Sequence, residues 1–131
     1  MNILVGYDGS RESKKALKLA QKRAKVMGAK IVVVYAIVRF DSTMNHEAKK
    51  AEQVLQCEVH EMLIDGRIPY ETRLLSGTQN RGDQVAEFAE THNIAEIIIG
   101  APKRSGIGKP ALGSTARQIV LNAPCPVITV N

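Results

Sequence analysis

The sequence is poor in aromatic residues and in cysteine. Phe, Trp and Tyr together form 4% of its 131 residues, and Trp is absent, so the stacked aromatic platforms of many RNA- and single-stranded-DNA-binding proteins are not expected. Its two cysteines, Cys57 and Cys125, are far apart and form no C-x-x-C pair, which excludes a zinc knuckle and a redox motif. We expect both to be buried, reduced thiols.

Long apolar runs and clustered histidines are missing as well. No run approaches the roughly 20 residues of a membrane span, and the N-terminal MNILVGYDGS lacks the basic leader and cleavage site of a secretory signal. The histidines, His46, His60 and His92, stand apart and do not match the H-E-x-x-H spacing of a zinc site. We therefore expect a cytoplasmic protein with no membrane segment and no metal ligands, folded as one domain over residues 1–131.

Positive charge is concentrated near the N-terminus. The chain carries a net charge of +5 at pH 7, and six basic residues recur along one side of a predicted helix: Arg11, Lys14, Lys15, Lys18, Lys22 and Lys25. Such a stripe could attract nucleic acid, but no recognition-helix or RNA-binding motif accompanies it. We interpret it as a solvated helix face, and a nucleic-acid partner is not expected.

Strands and helices are predicted to alternate along the chain. Short apolar runs rich in β-branched residues are typical of buried strands and occur at Ile3–Tyr7, Ile31–Val38, Ile97–Ile99 and Val127–Val130, while the alternating residues from Tyr70 to Leu74 predict an edge strand. Apolar residues at helical spacing fill the intervals, over Ala16–Met27, Met44–Met62, Val85–His92 and Leu112–Ala123. This order predicts a parallel sheet with helices on both faces and a ligand site beyond the carboxyl ends of the strands.

The connection from Gly100 to Gly113 is unusually long for such a fold. It contains four glycines and three basic residues, namely Gly100, Gly106, Gly108, Gly113, Lys103, Arg104 and Lys109. Ser114 then begins a helix, whose N-terminal N–H groups could bind a phosphate, although Ser114 could equally be a structural cap. The loop does not match the Walker A pattern, and its G-x-G-x-x-A segment lies too far from the strand for a dinucleotide fingerprint.

Three features together resemble the universal stress protein family over essentially the whole chain. They are ILVGYDGSRESKKAL near the N-terminus, NAPCPVITV near the C-terminus, and the spacing from Gly100 to Gly113-Ser114. The resemblance implies a three-layer α/β sandwich with a five-stranded parallel sheet in strand order 3-2-1-4-5 and helices on both faces. It also implies a homodimer, formed through the edge strand Val127–Val130.

Some members of this family bind ATP, and their motif is G-x2-G-x9-G-[ST]. Gly100, Gly113 and Ser114 match it, whereas Lys103 replaces its second glycine. The resemblance places the phosphates near these residues and Arg104, the adenosine near Asp8, Gly9 and Ser10, and the adenine edge on the backbone of Ile37 and Val38. The implied ligand is ATP, or AMP, with Mg²⁺ carried by the triphosphate.

Three functions remain open at this point. The first is an ATP-binding stress-response sensor or signalling module, and the second is a dimeric interaction protein of the non-binding branch. In the first, Lys103 adds a cation beside the phosphates, and in the second it fills the nucleotide crevice. The third is an enzyme acting on adenine nucleotides, against which stands the absence of S-G-G-x-D-S and G-x-S-x-G motifs; slow ATP hydrolysis is left open.

Overall fold

The structure is a computed structural model that describes residues 1–39, 45–101 and 112–131. Its elements in chain order are β1 (Asn2–Gly6), α1 (Arg11–Met27), β2 (Lys30–Val38), α2 (Asn45–Gln53), a π-helical segment (Val54–Val59), α3 (His60–Leu63), a 3₁₀ turn (Ile64–Gly66), β3 (Tyr70–Gly77), α4 (Arg81–Thr91), β4 (Ile94–Gly100), α5 (Ser114–Asn122) and β5 (Val127–Val130). Within these ranges, none of the helices has the length and apolar character needed to cross a membrane.

Five parallel strands form one sheet in the order β3-β2-β1-β4-β5, which confirms the predicted fold class. In the register of β1 with β2, Ile3 pairs with Ile31 and Gly6 with Val34. On the other side of β1, Gly6 pairs with Ile99 of β4. The strand order therefore reverses at β1, and the carboxyl ends of β2, β1 and β4 lie side by side.

Alternate side chains of each strand enter two separate hydrophobic clusters, one on each face of the sheet. Ile3, Val5 and Ile98 pack on the face that carries α1 and the helical segment after β2. Leu4, Ile97 and Ile99 pack on the opposite face, against residues of α4 and α5 such as Phe88 and Ile119. This is the period-two alternation of a strand that is buried on both faces.

Helix α1 begins and ends at recognisable caps. The Ser10 side chain accepts a hydrogen bond from the Ser13 N–H, and Gly28 ends the helix in the left-handed conformation with φ 67°. Its buried side is lined mainly by small residues, with Ala16, Leu17, Ala20 and Ala24 all within the core. The six basic residues of the predicted stripe are exposed, which agrees with a solvated face.

The second helical region differs from the regular helix that the sequence predicts. Its buried residues, Ala51, Leu55, Val59 and Leu63, are spaced by four, and in an ideal α-helix the last would be rotated about 120° from the first. The π-helical turn of Val54–Val59 has more residues per turn than an α-helix. All four buried side chains therefore face the sheet. The predicted apolar Met62 consequently lies only partly buried, and Met44 is outside the described residues.

Three smaller expectations are wrong. Cys57 is exposed and Cys125 is only partly buried; Cys57 lies two residues from the buried Leu55 and Val59, and therefore on the opposite side of the helix. Met27 and Leu112, predicted to be apolar helix contacts, are 37% and 43% exposed. Met27 is the last residue of α1, and Leu112 precedes the start of α5, so neither reaches the sheet.

One ion pair joins α1 to β4 at the margin of the core, with the Arg23 side chain 39% exposed and the Glu96 side chain 7% exposed. Glu96 is 5% exposed, and Arg23 donates to both of its carboxylate oxygens, from Nη2 at 2.8 Å and from Nε at 3.1 and 3.2 Å. A carboxylate buried to this degree needs such a partner, because removing it from water is costly.

We expect Arg23→Met to lower the free energy of unfolding by about 2–4 kcal/mol, because it leaves the Glu96 charge buried without a partner. Urea unfolding would measure the change. Lys30→Met is the matched control: Lys30 pairs with Glu71 at 2.8 Å, but these side chains are 41% and 35% exposed, so the expected loss is below about 1 kcal/mol. Equal losses in the two variants would contradict the role assigned to burial.

Candidate functional site

The main crevice lies at the carboxyl edge of the sheet, where the strand order reverses. Its volume is about 520 Å³, within the range of small-molecule sites. The described residues that line it come from the ends of three strands and the starts of three helices: Gly6, Tyr7, Asp8, Ser10, Glu12, Ser13, Val34, Tyr35, Ala36, Arg81, Val85, Ile99, Gly100, Gly113, Ser114, Thr115, Ala116 and Ile119.

Asp8 lies at the end of β1, in the middle of this edge. The Asp8 Oδ1 accepts a hydrogen bond from the Ser10 N–H at 2.9 Å, which is the turn role that such a residue often has. Gly9 has a φ of 81°, which allows the turn between β1 and α1, and it is not among the residues that line the crevice. Asp8 is exposed, and its carboxylate faces solvent and the crevice.

Gly100 has a structural reason to be glycine. A Cβ at this position would lie 2.6 Å from both the main-chain carbonyl carbon and the Cβ of Glu12, far below a normal contact. The end of β4 therefore touches the first turn of α1 without a side chain between them. The predicted phosphate-binding glycine lines the crevice, but its lack of a side chain is already required by this packing.

The start of α5 forms the opposite wall. Its N-cap is Gly113, so within residues 1–39, 45–101 and 112–131 no side chain caps its first N–H groups, in contrast to α1 and to α4, where Asn80 accepts from the Asp83 N–H at 2.8 Å. Ser114 is the first helical residue rather than the cap that the sequence left open. The main-chain N–H groups of this first turn and the positive end of the helix dipole thus face the crevice.

The β2 wall lies closer to the start of that strand than predicted. Val34, Tyr35 and Ala36 line the crevice, whereas Ile37 and Val38, predicted to read an adenine edge, are not among its lining residues. The Ile37 side chain is fully buried, and its carbonyl accepts a hydrogen bond from Gln84 Nε2 at 2.9 Å.

Arg81 is a crevice residue that is not among the site residues predicted from the sequence. It is the first residue of α4, and its Nε donates to the Ala36 carbonyl at 3.2 Å, while Nη2 lies 3.6 Å from Glu47 Oε1 of α2. The side chain therefore crosses the end of β2 from one face of the sheet to the other. The available signal was its position: a helix that follows a parallel strand begins at the carboxyl edge.

Tyr35 lies close to two charged side chains at this end of the crevice, those of Asp8 and Arg81. Burial raises the pKa of its hydroxyl above the ordinary value, the nearby Asp8 carboxylate raises it further, and Arg81 lowers it. Six of the ten predicted site residues therefore lie at or beside one crevice. They are Asp8, the turn residue Gly9, Ser10, Gly100, Gly113 and Ser114. Lys103 and Arg104 lie outside the described residues.

Comparisons with known proteins agree with this architecture. The model of the universal stress protein family matches residues 1–131. A universal stress protein of Thermus aquaticus is 28% identical over 137 aligned residues, covering 98% of this chain and 96% of that protein. The structure of a universal stress protein from Archaeoglobus fulgidus has a TM-score of 0.90 at 28% identity, covering 100% of this chain and 98% of that one. A second A. fulgidus structure, a complex with dAMP, has a TM-score of 0.77 at 25% identity, with the same two coverages.

Among the residues described at the crevice, Tyr7 has the most strongly shifted pKa. Its ring is 3% exposed, and its hydroxyl donates to Glu58 Oε1 at 3.3 Å. Burial, followed by the charge of Glu58, raises the pKa of Tyr7 to about 12. The folded protein therefore keeps the Tyr7 proton at pH values where an unfolded chain, with a tyrosine pKa near 10, releases it.

We expect the free energy of unfolding to fall as the pH rises from about 10 to about 12, because the unfolded state loses the Tyr7 proton first. Below about pH 10 both states keep the proton, so this contribution is fully present there. Tyr7→Phe should remove up to about 2–3 kcal/mol of that fall, and chemical denaturation of both proteins from pH 9 to pH 12 would measure it. An identical slope in the variant would contradict the assignment.

Proposed function

The chain belongs to the universal stress protein family, and we propose that it is a cytoplasmic stress-response sensor or signalling module that binds ATP in the crevice described above. The observation that carries the proposal is the meeting of two features in one cavity. The start of α5 offers N–H groups without a side-chain cap, and Asp8 offers a carboxylate at the end of β1.

The start of α5 is suited to the phosphates. Main-chain N–H groups and the helix dipole favour an anion at this point, and the Ser114 hydroxyl can donate one further hydrogen bond. Gly113 places no side chain between the ligand and the helix. Lys103 and Arg104, from the preceding loop, are proposed as additional cations, and Mg²⁺ is proposed to enter on the triphosphate oxygens with few protein ligands.

The other end of the crevice is suited to a nucleoside. A carboxylate such as Asp8 accepts hydrogen bonds from ribose hydroxyl groups, and the base is proposed to lie at the end of β2, where Tyr35 and Ala36 line the crevice in place of the predicted Ile37 and Val38. Support comes from the relative at 25% identity whose structure is a complex with dAMP. An adenine nucleotide is therefore the ligand class that we assign, with ATP preferred over AMP because of the cationic loop.

A second function is favoured by one observation. Gly100 is required by its contact with Glu12, so its presence is explained without any nucleotide. In this alternative the chain is a dimeric interaction protein of the non-binding branch. Denaturing the freshly purified protein and identifying released nucleotide by mass spectrometry would separate the two, with ATP or AMP expected under the first proposal.

We also propose that the chain forms a homodimer through β5. This strand lies at the edge of the sheet, where its outer main-chain groups can pair with a second copy. The carbonyls of Pro126 and Val130 accept from the N–H groups of Ile97 in β4 and of Ala101 just after it, so by alternation the main chain of Thr129 faces outward.

For nucleotide binding, we expect Ser114→Ala to weaken ATP binding by about 10- to 150-fold and AMP binding much less, because the lost hydroxyl faces the distal phosphates. Asp8→Ala should weaken both nucleotides alike, since they share the same adenosine. Titration calorimetry would measure the affinities. Ser76→Ala, an exposed serine outside the crevice, is the matched control, and equal losses of ATP and AMP in Ser114→Ala would contradict the phosphate assignment.

For the dimer, we expect Thr129→Pro to produce monomers, because proline removes an outward N–H while the contacts with β4 remain. Thr129→Val keeps that N–H and should remain dimeric. Sedimentation equilibrium at tens of micromolar would distinguish the species. A monomeric wild-type protein, or a dimeric Thr129→Pro variant, would exclude pairing through β5.

A further inference from the structure

Arg81 covers the main-chain carbonyl at the end of β2. The Val34 carbonyl, two residues earlier, accepts a hydrogen bond from the Tyr7 N–H at 2.8 Å and so faces β1. Residues two apart in a strand direct their carbonyls to the same side. The Ala36 carbonyl therefore also points toward β1, but beyond the last pair of that ladder, Gly6 with Val34, where the crevice begins.

This position would otherwise present an acceptor to a bound base. A main-chain carbonyl accepts hydrogen bonds and suits the amino group at position 6 of adenine. Here, however, Arg81 Nε already donates to that oxygen at 3.2 Å, and a guanidinium has only donors. The surface offered at this point is thus a positively charged donor, which suits an oxygen and opposes an amino group.

The arginine is held from both sides of the sheet. Its main chain begins α4, which is capped by Asn80, and its Nη2 lies 3.6 Å from Glu47 Oε1 on α2. Its partner carbonyl belongs to a strand that is paired with β1 as far as Val34 and with β3 as far as Val38. An amino group that approaches Ala36 must therefore share its oxygen with Arg81 beside a positive charge, whereas an oxygen could accept from the guanidinium.

We infer that Arg81 determines which purine the crevice accepts, by moving its preference from 6-amino purines such as adenine toward 6-oxo purines such as hypoxanthine. The inference rests on the nucleotide site proposed above and concerns only its base end. Arg81 does not exclude ATP; it makes the adenine amino group share the Ala36 oxygen with a cation, whereas the 6-oxo group of an inosine nucleotide can accept a hydrogen bond from that cation.

The test compares ATP with ITP, which differ only on the edge of the base. Dissociation constants for both are measured by titration calorimetry with wild type and with Arg81→Ala. We expect the ratio of the ATP constant to the ITP constant to fall about tenfold in the variant, because the adenine amino group gains the Ala36 carbonyl and the 6-oxo group loses its donor. Any loss of general attraction to the triphosphate cancels in the ratio.

Further variants separate this role from a structural one. Arg81→Lys keeps a cationic donor and should retain a ratio nearer to wild type, while Lys22→Ala, an equal charge change at an exposed position outside the crevice, should leave it unchanged. AMP and IMP should show the same tenfold shift, because the phosphates are not involved. Thermal melting of each variant checks its fold.

The outcomes distinguish the inference from the proposed function. If ATP or ITP binds and the ratio in Arg81→Ala stays within twofold of wild type, or rises, the role of Arg81 is overturned while the nucleotide site stands. If none of the four nucleotides binds wild type, the nucleotide site itself is overturned and this inference falls with it. A shift seen only with triphosphates would make Arg81 a phosphate contact and would also overturn it.

Discussion

The close approach of α1 to the end of β4 fixes the geometry on which the crevice depends. With a Cβ on residue 100 only 2.6 Å from Glu12, no side chain fits between the helix and the strand. The same turn of α1 carries Ser10 and Ser13, whose hydrogen bond defines the start of the helix, and the loop with Asp8 precedes it directly. One contact thus completes the packing of α1 on the sheet and sets the position of Asp8 relative to β4 and α5.

Recognition in this crevice would depend more on main-chain groups than on particular side chains. At one end Gly113 provides no side-chain cap for the N–H groups of α5, and at the other the Ala36 carbonyl lies under the Arg81 guanidinium. Main-chain geometry follows from the fold, and the fold is retained with a TM-score of 0.90 at 28% identity. Side chains such as Arg81 can then change what the site prefers without changing how it is built.

The helices and strands, and the sheet edge that holds the crevice, could be predicted from the sequence, because buried parallel strands such as Ile31–Val38 have a distinctive composition. The strand order came from the family resemblance. Ile37 and Val38 lie further along β2 than the residues that line the crevice, since the depth of the crevice depends on where β1 stops pairing, at Gly6 with Val34. Arg81 was not singled out, because its contact joins residues 45 positions apart and only its place at the start of a helix after a parallel strand marks it.

The π-helical turn has a consequence for how the sheet is covered. A regular helix with a long apolar stripe must coil around its support, because 3.6 residues per turn make the stripe spiral. Contacts every fourth residue, from Ala51 to Leu63, instead form a straight seam. The region from Asn45 to Leu63 can therefore lie flat along its half of the sheet face. It covers this surface as one continuous helical segment, without an interruption between two shorter helices.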